Sequence, residues 1–106
     1  MANSFKNYGT AGVGTSPSTI LTASANTTVI GYSIANVTSN TITASVIVTI
    51  SGTDCYLVKN AVIPAGGALV PIGGDQKLVL ETGDAIKVSS NTAASVDVIM
   101  SVLEIT

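Results

Sequence analysis

Histidine, arginine and tryptophan are absent from this chain of 106 residues. Without histidine the chain has no imidazole base that titrates near neutral pH and no imidazole metal ligand. Without arginine it has no bidentate donor for phosphate, and four lysines with a net charge of −2 do not form the basic patch that nucleic-acid binding needs. We therefore expect a non-enzymatic protein with no cofactor, no metal site and no nucleic-acid partner.

Charge and cysteine are scarce as well. Charged residues make up 9% of the chain, against about 25% in typical soluble domains. The single cysteine, Cys55, cannot form an internal disulfide, and we expect it inside a strand because free cysteine is among the most buried residue types. A reactive or intermolecular thiol is the alternative. No segment approaches the ~18 apolar residues of a membrane helix, so no membrane partner is expected.

The residues that are abundant are typical of β-structure. Valine, isoleucine and threonine dominate from residue 18 onward, without a helix-period stripe. Alternating apolar and polar residues, separated by turn residues, predict about eight strands, at residues 19–23, 28–37, 41–51, 55–63, 68–72, 77–81, 85–89 and 95–105. A further turn is expected at residues 73–75. Short strands with turns about every ten residues predict an all-β antiparallel sandwich of jelly-roll type.

Two of these strands have the clearest patterns. In residues 41–51 apolar side chains alternate with serine and threonine, so one face of the strand is expected in the core and the other at the surface. In residues 95–105 both faces are apolar. A strand of that kind is expected to be covered on both sides.

The N-terminal segment differs from the rest of the chain. Residues 1–17 are rich in glycine and have no apolar periodicity. We expect them to form an extended arm, and residues 18–106 to form a single sandwich domain. The arm is either a frayed terminus or a segment that lies on a neighbouring subunit, with aromatic rings as anchors. The candidate interaction residues are Phe5, Tyr8 and Val13 in the arm, and Val98, Met100 and Val102 in the last strand.

The low charge also bears on the surface. A folded chain of this mass exposes about 5,500 Å², or about 550 Å² for each charged residue. The largest apolar patch on an ordinary monomer is about 300–600 Å². A free monomer would rely on hydroxyl groups for solubility, whereas neighbouring copies would cover much of an assembly subunit. We therefore expect a homo-oligomer.

Most of the chain also carries turn-and-strand motifs that are shared with one family of proteins. They are YLVKN at residues 56–60, IPAG at 63–66, GGDQKLVLE at 73–81, SVDVI at 95–99 and LEI at 103–105, together with KNYGTAGVGTSP at 6–17. In these segments the chain resembles small virion structural proteins of tailed bacteriophages. The resemblance implies a structural component of a phage particle, without indicating head, neck or tail.

From this resemblance we expect a capsid decoration or cement protein, with a trimer as the favoured oligomer. It would dock on the major capsid protein or another virion protein and stabilise the head lattice through subunit contacts. It would be assembled in the bacterial host cytoplasm and located in the virion. A subunit of the neck, tail or tail fibre is the alternative, and a module that binds host glycans is a remote one.

Overall fold

The computed structural model describes residues 3–72 and 77–105, and the regular elements in these residues are all β-strands. There are nine, namely β1 (Asn3–Val13), β2 (Ser18–Thr22), β3 (Asn26–Asn36), β4 (Ile42–Ile50), β5 (Thr53–Ile63), β6 (Ala68–Ile72), β7 (Leu78–Leu80), β8 (Ala85–Ser90) and β9 (Val96–Ile105). Strands β2 to β9 correspond to the eight predicted strands. The turn predicted at residues 73–75 lies outside the described residues.

The strands form two antiparallel sheets that pack face to face. Sheet A has the order β1-β9-β3-β6. Strand β7 pairs with β3 on the same side as β6, but with residues nearer the start of β3. Sheet B has the order β2-β8-β4-β5. With β6 and β7 taken as one interrupted strand, each sheet has four strands and the chain crosses repeatedly between the sheets. The first and last strands, β1 and β9, are neighbours in sheet A. This arrangement is a jelly-roll sandwich, which confirms the predicted fold class.

The core lies between the inward faces of the two sheets. Side chains alternate across each strand, so every second residue points towards the opposite sheet. Large, fully buried side chains come from strands of both sheets, among them Val29, Ile34, Val46, Ile86, Val88, Val96 and Met100. In strand β4, Ile42, Ala44, Val46 and Val48 are buried, as the alternation predicts. Ile50, at the end of the strand, is 43% exposed, so the expectation of one core face is wrong for that residue.

A bulge in β3 changes one residue of the expected core. The register with β9 shifts between Val29 and Gly31, which displaces Ile30 from the regular alternation. Val29 is fully buried, while Ile30 is only half-buried. The inward residues are therefore Thr27 and Val29 before the bulge, and Tyr32 and Ile34 after it.

The hairpin between β4 and β5 has a two-residue turn. Ile50 pairs with Thr53, and the residues between them, Ser51 and Gly52, have φ angles of 51° and 82°. Two successive positive φ angles are typical of the type I′ turn, whose twist matches that of the flanking strands. Gly52 adopts this conformation without the steric cost that a Cβ atom would add.

The N-terminal segment is extended, as expected, but most of it belongs to the sandwich. Strand β1 pairs with β9 over Asn3–Val13, with a regular register from Asn3 to Thr10. Val13 is 2% exposed and lies in the core. The expected boundary between an arm of residues 1–17 and a domain of residues 18–106 is therefore wrong for β1, because β9 offers it a complete backbone ladder.

Candidate interaction surfaces

Four of the six candidate interaction residues are core residues. Val13, Val98, Met100 and Val102 are each at most 2% exposed. Strand β9 lies between β1 and β3, and its residues Val98, Met100 and Val102 point from sheet A towards sheet B. The prediction that these four residues contact a partner is therefore wrong, because the subunit's own second sheet covers them.

The opposite face of β9 is the exposed one. Phe5, Ile99 and Val79 are 78%, 63% and 64% exposed, and Leu103 is half-buried. Phe5 pairs with Leu103, Leu103 with Thr28, and Thr28 with Val79, so these side chains form a row across four strands. We call Phe5, Leu103, Val79 and Ile99 the apolar face of sheet A. The pattern of the last strand signalled this face, since Ile99 and Leu103 alternate with the core residues.

The apolar face of sheet A also carries little charge. Among the described strand residues that point outward from sheet A, Asp97 is the only charged one, and its Oδ1 accepts a hydrogen bond from the Gly12 N–H at 3.0 Å. A surface with these properties loses little electrostatic solvation when a partner covers it. Phe5 is the candidate interaction residue that the structure leaves fully available for such a contact.

Tyr8 contacts its own subunit instead of an open surface. Its hydroxyl donates to Oε2 of Glu104 at 2.7 Å, and Nζ of Lys6 lies 3.2 Å from Oε1 of the same carboxylate. Glu104 is 4% exposed. The hydrogen bond from Tyr8 and the ion pair with Lys6 lower the pKa of Glu104, while the bond to Glu104, together with burial, raises the pKa of Tyr8. These three residues attach β1 to β9.

Glu104 was not among the candidate residues, although the sequence contains a partial signal for it. It lies at an even-numbered position of β9 and therefore shares a face of the strand with Val98, Met100 and Val102. A carboxylate on a core face needs partners. The sequence does not identify them, because Lys6 and Tyr8 lie nearly 100 residues earlier in the chain, in a segment that was expected to be an arm.

Cys55 was expected to be a buried residue within a strand, but it is exposed. The residue does belong to a strand, but β5 is an edge of sheet B and Cys55 lies near its start. Next to it, Nζ of Lys59 lies 5.1 Å from the centroid of the Tyr56 ring. The end of an edge strand leaves one side of each residue without a covering neighbour, which explains the exposure.

The described residues do not form a site for a small ligand. Within residues 3–72 and 77–105 there is no pocket, and no group of three or more metal-ligating side chains comes together. That part of the chain also has no helix with the length and hydropathy needed to cross a membrane. The surfaces described above are therefore the candidate functional features.

Comparison with known proteins shows a likeness at the level of fold. No family model matches the chain, and no curated protein matches it significantly. A solved structure from Bacillus endospore appendages, described as a novel family of disulfide-linked pili, matches 97% of this chain and 86% of its own, with a TM-score of 0.59 and 12% sequence identity. Identity this low shows a shared fold alone.

Proposed function

We propose that this chain is a non-enzymatic structural subunit of a phage virion, with a capsid decoration or cement protein as the first candidate. The observation that carries the proposal is the apolar face of sheet A, where Phe5, Ile99 and Val79 are each more than 60% exposed. Covering one such side chain is worth about 1.5–3 kcal/mol. A partner surface would gain that stabilisation at each contact.

The proposed work is mechanical. A protein that binds the assembled head and not its separated subunits stabilises the head by mass action, in proportion to the logarithm of its free concentration over its dissociation constant. The partner would be the major capsid protein or another virion protein, together with further copies of this chain. The resemblance to small phage virion proteins in residues 56–60, 73–81 and 95–99 supports the phage setting.

The test is binding of the purified chain to phage heads assembled without it, measured by co-sedimentation. We expect binding, and release of the packaged DNA at a higher temperature from heads that carry the chain. Ile99→Ser should weaken binding about tenfold or more, by the loss of its buried apolar area. Val62→Ser is the matched control, since Val62 is 67% exposed on the outward face of sheet B. Absence of binding, or equal losses in the two variants, would contradict the proposal.

A subunit of the neck, tail or tail fibre is the second candidate. The similarity to a protein that forms pili favours it, because a related fold is used there in an elongated assembly. Antibody labelling of intact particles separates the two candidates. Label on the head supports decoration, and label confined to the neck or tail supports the second candidate.

A further inference from the structure

Strand β1 leaves one side of its backbone open. It is the outer strand of sheet A, and among the described strands it pairs with β9 alone. Its register with β9 is unbroken from Asn3 to Thr10. On its other side the N–H and C=O groups face no strand of the described residues, and such an unpaired row is the standard template for pairing with another strand.

The other edges of the described sandwich are less suited to pairing. Strand β2 is short and has a register shift, and β5 has two shifts together with a positive φ of 53° at Asn60. Strand β6 contains Pro71 and β7 has three residues. Bulges, proline and short length are the features that protect edge strands from pairing. Within residues 3–72 and 77–105, β1 is therefore the one long, regular edge, and the partner that fits it best is β1 of a second copy.

The side chains of β1 are complementary to themselves in an antiparallel pair. Two copies related by a two-fold axis through Asn7 would place Phe5 opposite Gly9 of the second copy, on the outer face of sheet A. Gly9 is not required by its own subunit, because its φ is not positive and an added Cβ would meet only the Val98 carbonyl oxygen, at an ordinary 3.7 Å. An aromatic ring across from a strand glycine covers the backbone that the glycine exposes. This accounts for both the exposed ring and the glycine.

Charge and length select this register among the neighbouring ones. A two-fold axis through Lys6 would place two ammonium groups opposite each other, which is unfavourable. An axis through Tyr8 would extend the pairing to Gly12 and Val13, where the register of β1 with β9 shifts and φ of Gly12 is 68°. With the axis at Asn7, residues 3–11 pair along their whole length. Lys6 then lies opposite Tyr8 of the second copy, and each lysine stays neutralised by its own Glu104.

We infer that two copies of this chain associate through antiparallel pairing of their β1 strands, with Asn7 opposite Asn7 at the two-fold axis. Sheet A becomes continuous across the pair, and the two apolar faces join into one larger surface. The inference goes beyond the proposed function, since it concerns free subunits and holds whichever part of a particle they occupy. A dimer is also distinct in mass from the trimer expected from the sequence.

Cysteine cross-linking tests the register directly. In a Cys55→Ser background, which removes the native thiol, Asn7→Cys places two thiols opposite each other at a Cα separation of about 4.5–5.5 Å, within the range that a disulfide spans. Asn3→Cys is the control, because it faces Ala11 of the second copy and its own counterpart lies about 26 Å away. We expect a covalent dimer from Asn7→Cys under mild oxidation and none from Asn3→Cys. No dimer from Asn7→Cys, or equal dimer from both variants, would overturn the inference.

A second pair of variants tests the contact without covalent chemistry. Asn7→Asp places two carboxylates opposite each other, which should raise the dimer dissociation constant by about fourfold or more. Asn3→Asp adds the same charge to the same face of β1 and should leave the constant nearly unchanged. Sedimentation velocity gives both constants, and far-ultraviolet circular dichroism shows that both variants fold. A monomer or trimer in the unmodified chain, or equal effects of the two substitutions, would contradict the pairing.

Discussion

The hydroxyl of Tyr8 donates a hydrogen bond of 2.7 Å to the carboxylate of Glu104, a residue that is 4% exposed and lies at the other end of the chain. Glu104 belongs to β9 and Tyr8 to β1, so the bond crosses the strand pair that joins the N-terminal segment to sheet A. Lys6 completes the group from the same strand. A buried carboxylate without these partners would be costly, so the group specifies where β1 pairs.

Replacement of Tyr8 by phenylalanine should destabilise the fold. The ring remains, but Glu104 loses a charge-assisted hydrogen bond at a buried position, which costs about 1.5–3 kcal/mol. Urea denaturation measures the change in unfolding free energy. Tyr56→Phe is the control, since Tyr56 is 54% exposed and its hydroxyl makes no hydrogen bond to the described residues. It should change the unfolding free energy by less than about 0.5 kcal/mol. Equal effects of the two substitutions would contradict the role of Glu104.

Stability at acid pH should depend on Glu104. Its pKa is lowered from the ordinary 4.5, chiefly by the bond from Tyr8 and then by Lys6. The folded chain therefore binds this proton more weakly than the unfolded chain does. The stabilisation is fully present above pH 4.5 and is lost as the pH falls through the lower pKa of the folded state. Unfolding free energies measured from pH 6 to pH 2 should fall less steeply for Glu104→Gln than for the unmodified chain, and parallel curves would contradict this.

Tyr32 differs from Glu104 in the hydrogen bonding of its buried polar group. It is 2% exposed, and its buried hydroxyl has no hydrogen-bond partner among residues 3–72 and 77–105. Burial raises the pKa of this hydroxyl well above its ordinary value. Tyr32→Phe removes the unsatisfied group and keeps the ring, so we expect the unfolding free energy to rise by about 1 kcal/mol. Thermal denaturation beside Tyr8→Phe gives a direct contrast, and a loss of stability in Tyr32→Phe would show that the hydroxyl has a partner.

The sequence predicts the sandwich well because most strands show alternation or clear turn residues. Strand β4 is an example, with Ile42, Val46 and Val48 inward and most of its serine and threonine residues on the other face. Strand β1 was not predicted, since glycine, asparagine and alanine occupy five of its 11 positions and neither face is recognisably apolar. It forms because β9 offers it a regular ladder. Pairing between residues nearly 100 positions apart is a tertiary effect that local patterns do not contain.

The exposed surface was harder to predict than the fold. Both faces of β9 are apolar, and each also contains one acidic residue, Asp97 on one and Glu104 on the other. Neither hydropathy nor charge therefore indicates which face is inward. The inward face is the one that sheet B covers. Sheet B covers the face that contains Met100, and Ile99 on the other face is exposed. The interaction residues predicted in β9 were on the wrong face for this reason.

A pair of neighbouring substitutions tests the assignment of the two faces of β9. Met100 is 0% exposed and Ile99 is 63% exposed. Met100→Ala should lower the unfolding free energy by about 2–5 kcal/mol, because it removes buried area and leaves a cavity between the sheets. Ile99→Ala, one residue earlier, should change it by about 0.5 kcal/mol or less. Urea titration of both variants gives the two values, and a larger loss in Ile99→Ala would mean that the faces are reversed.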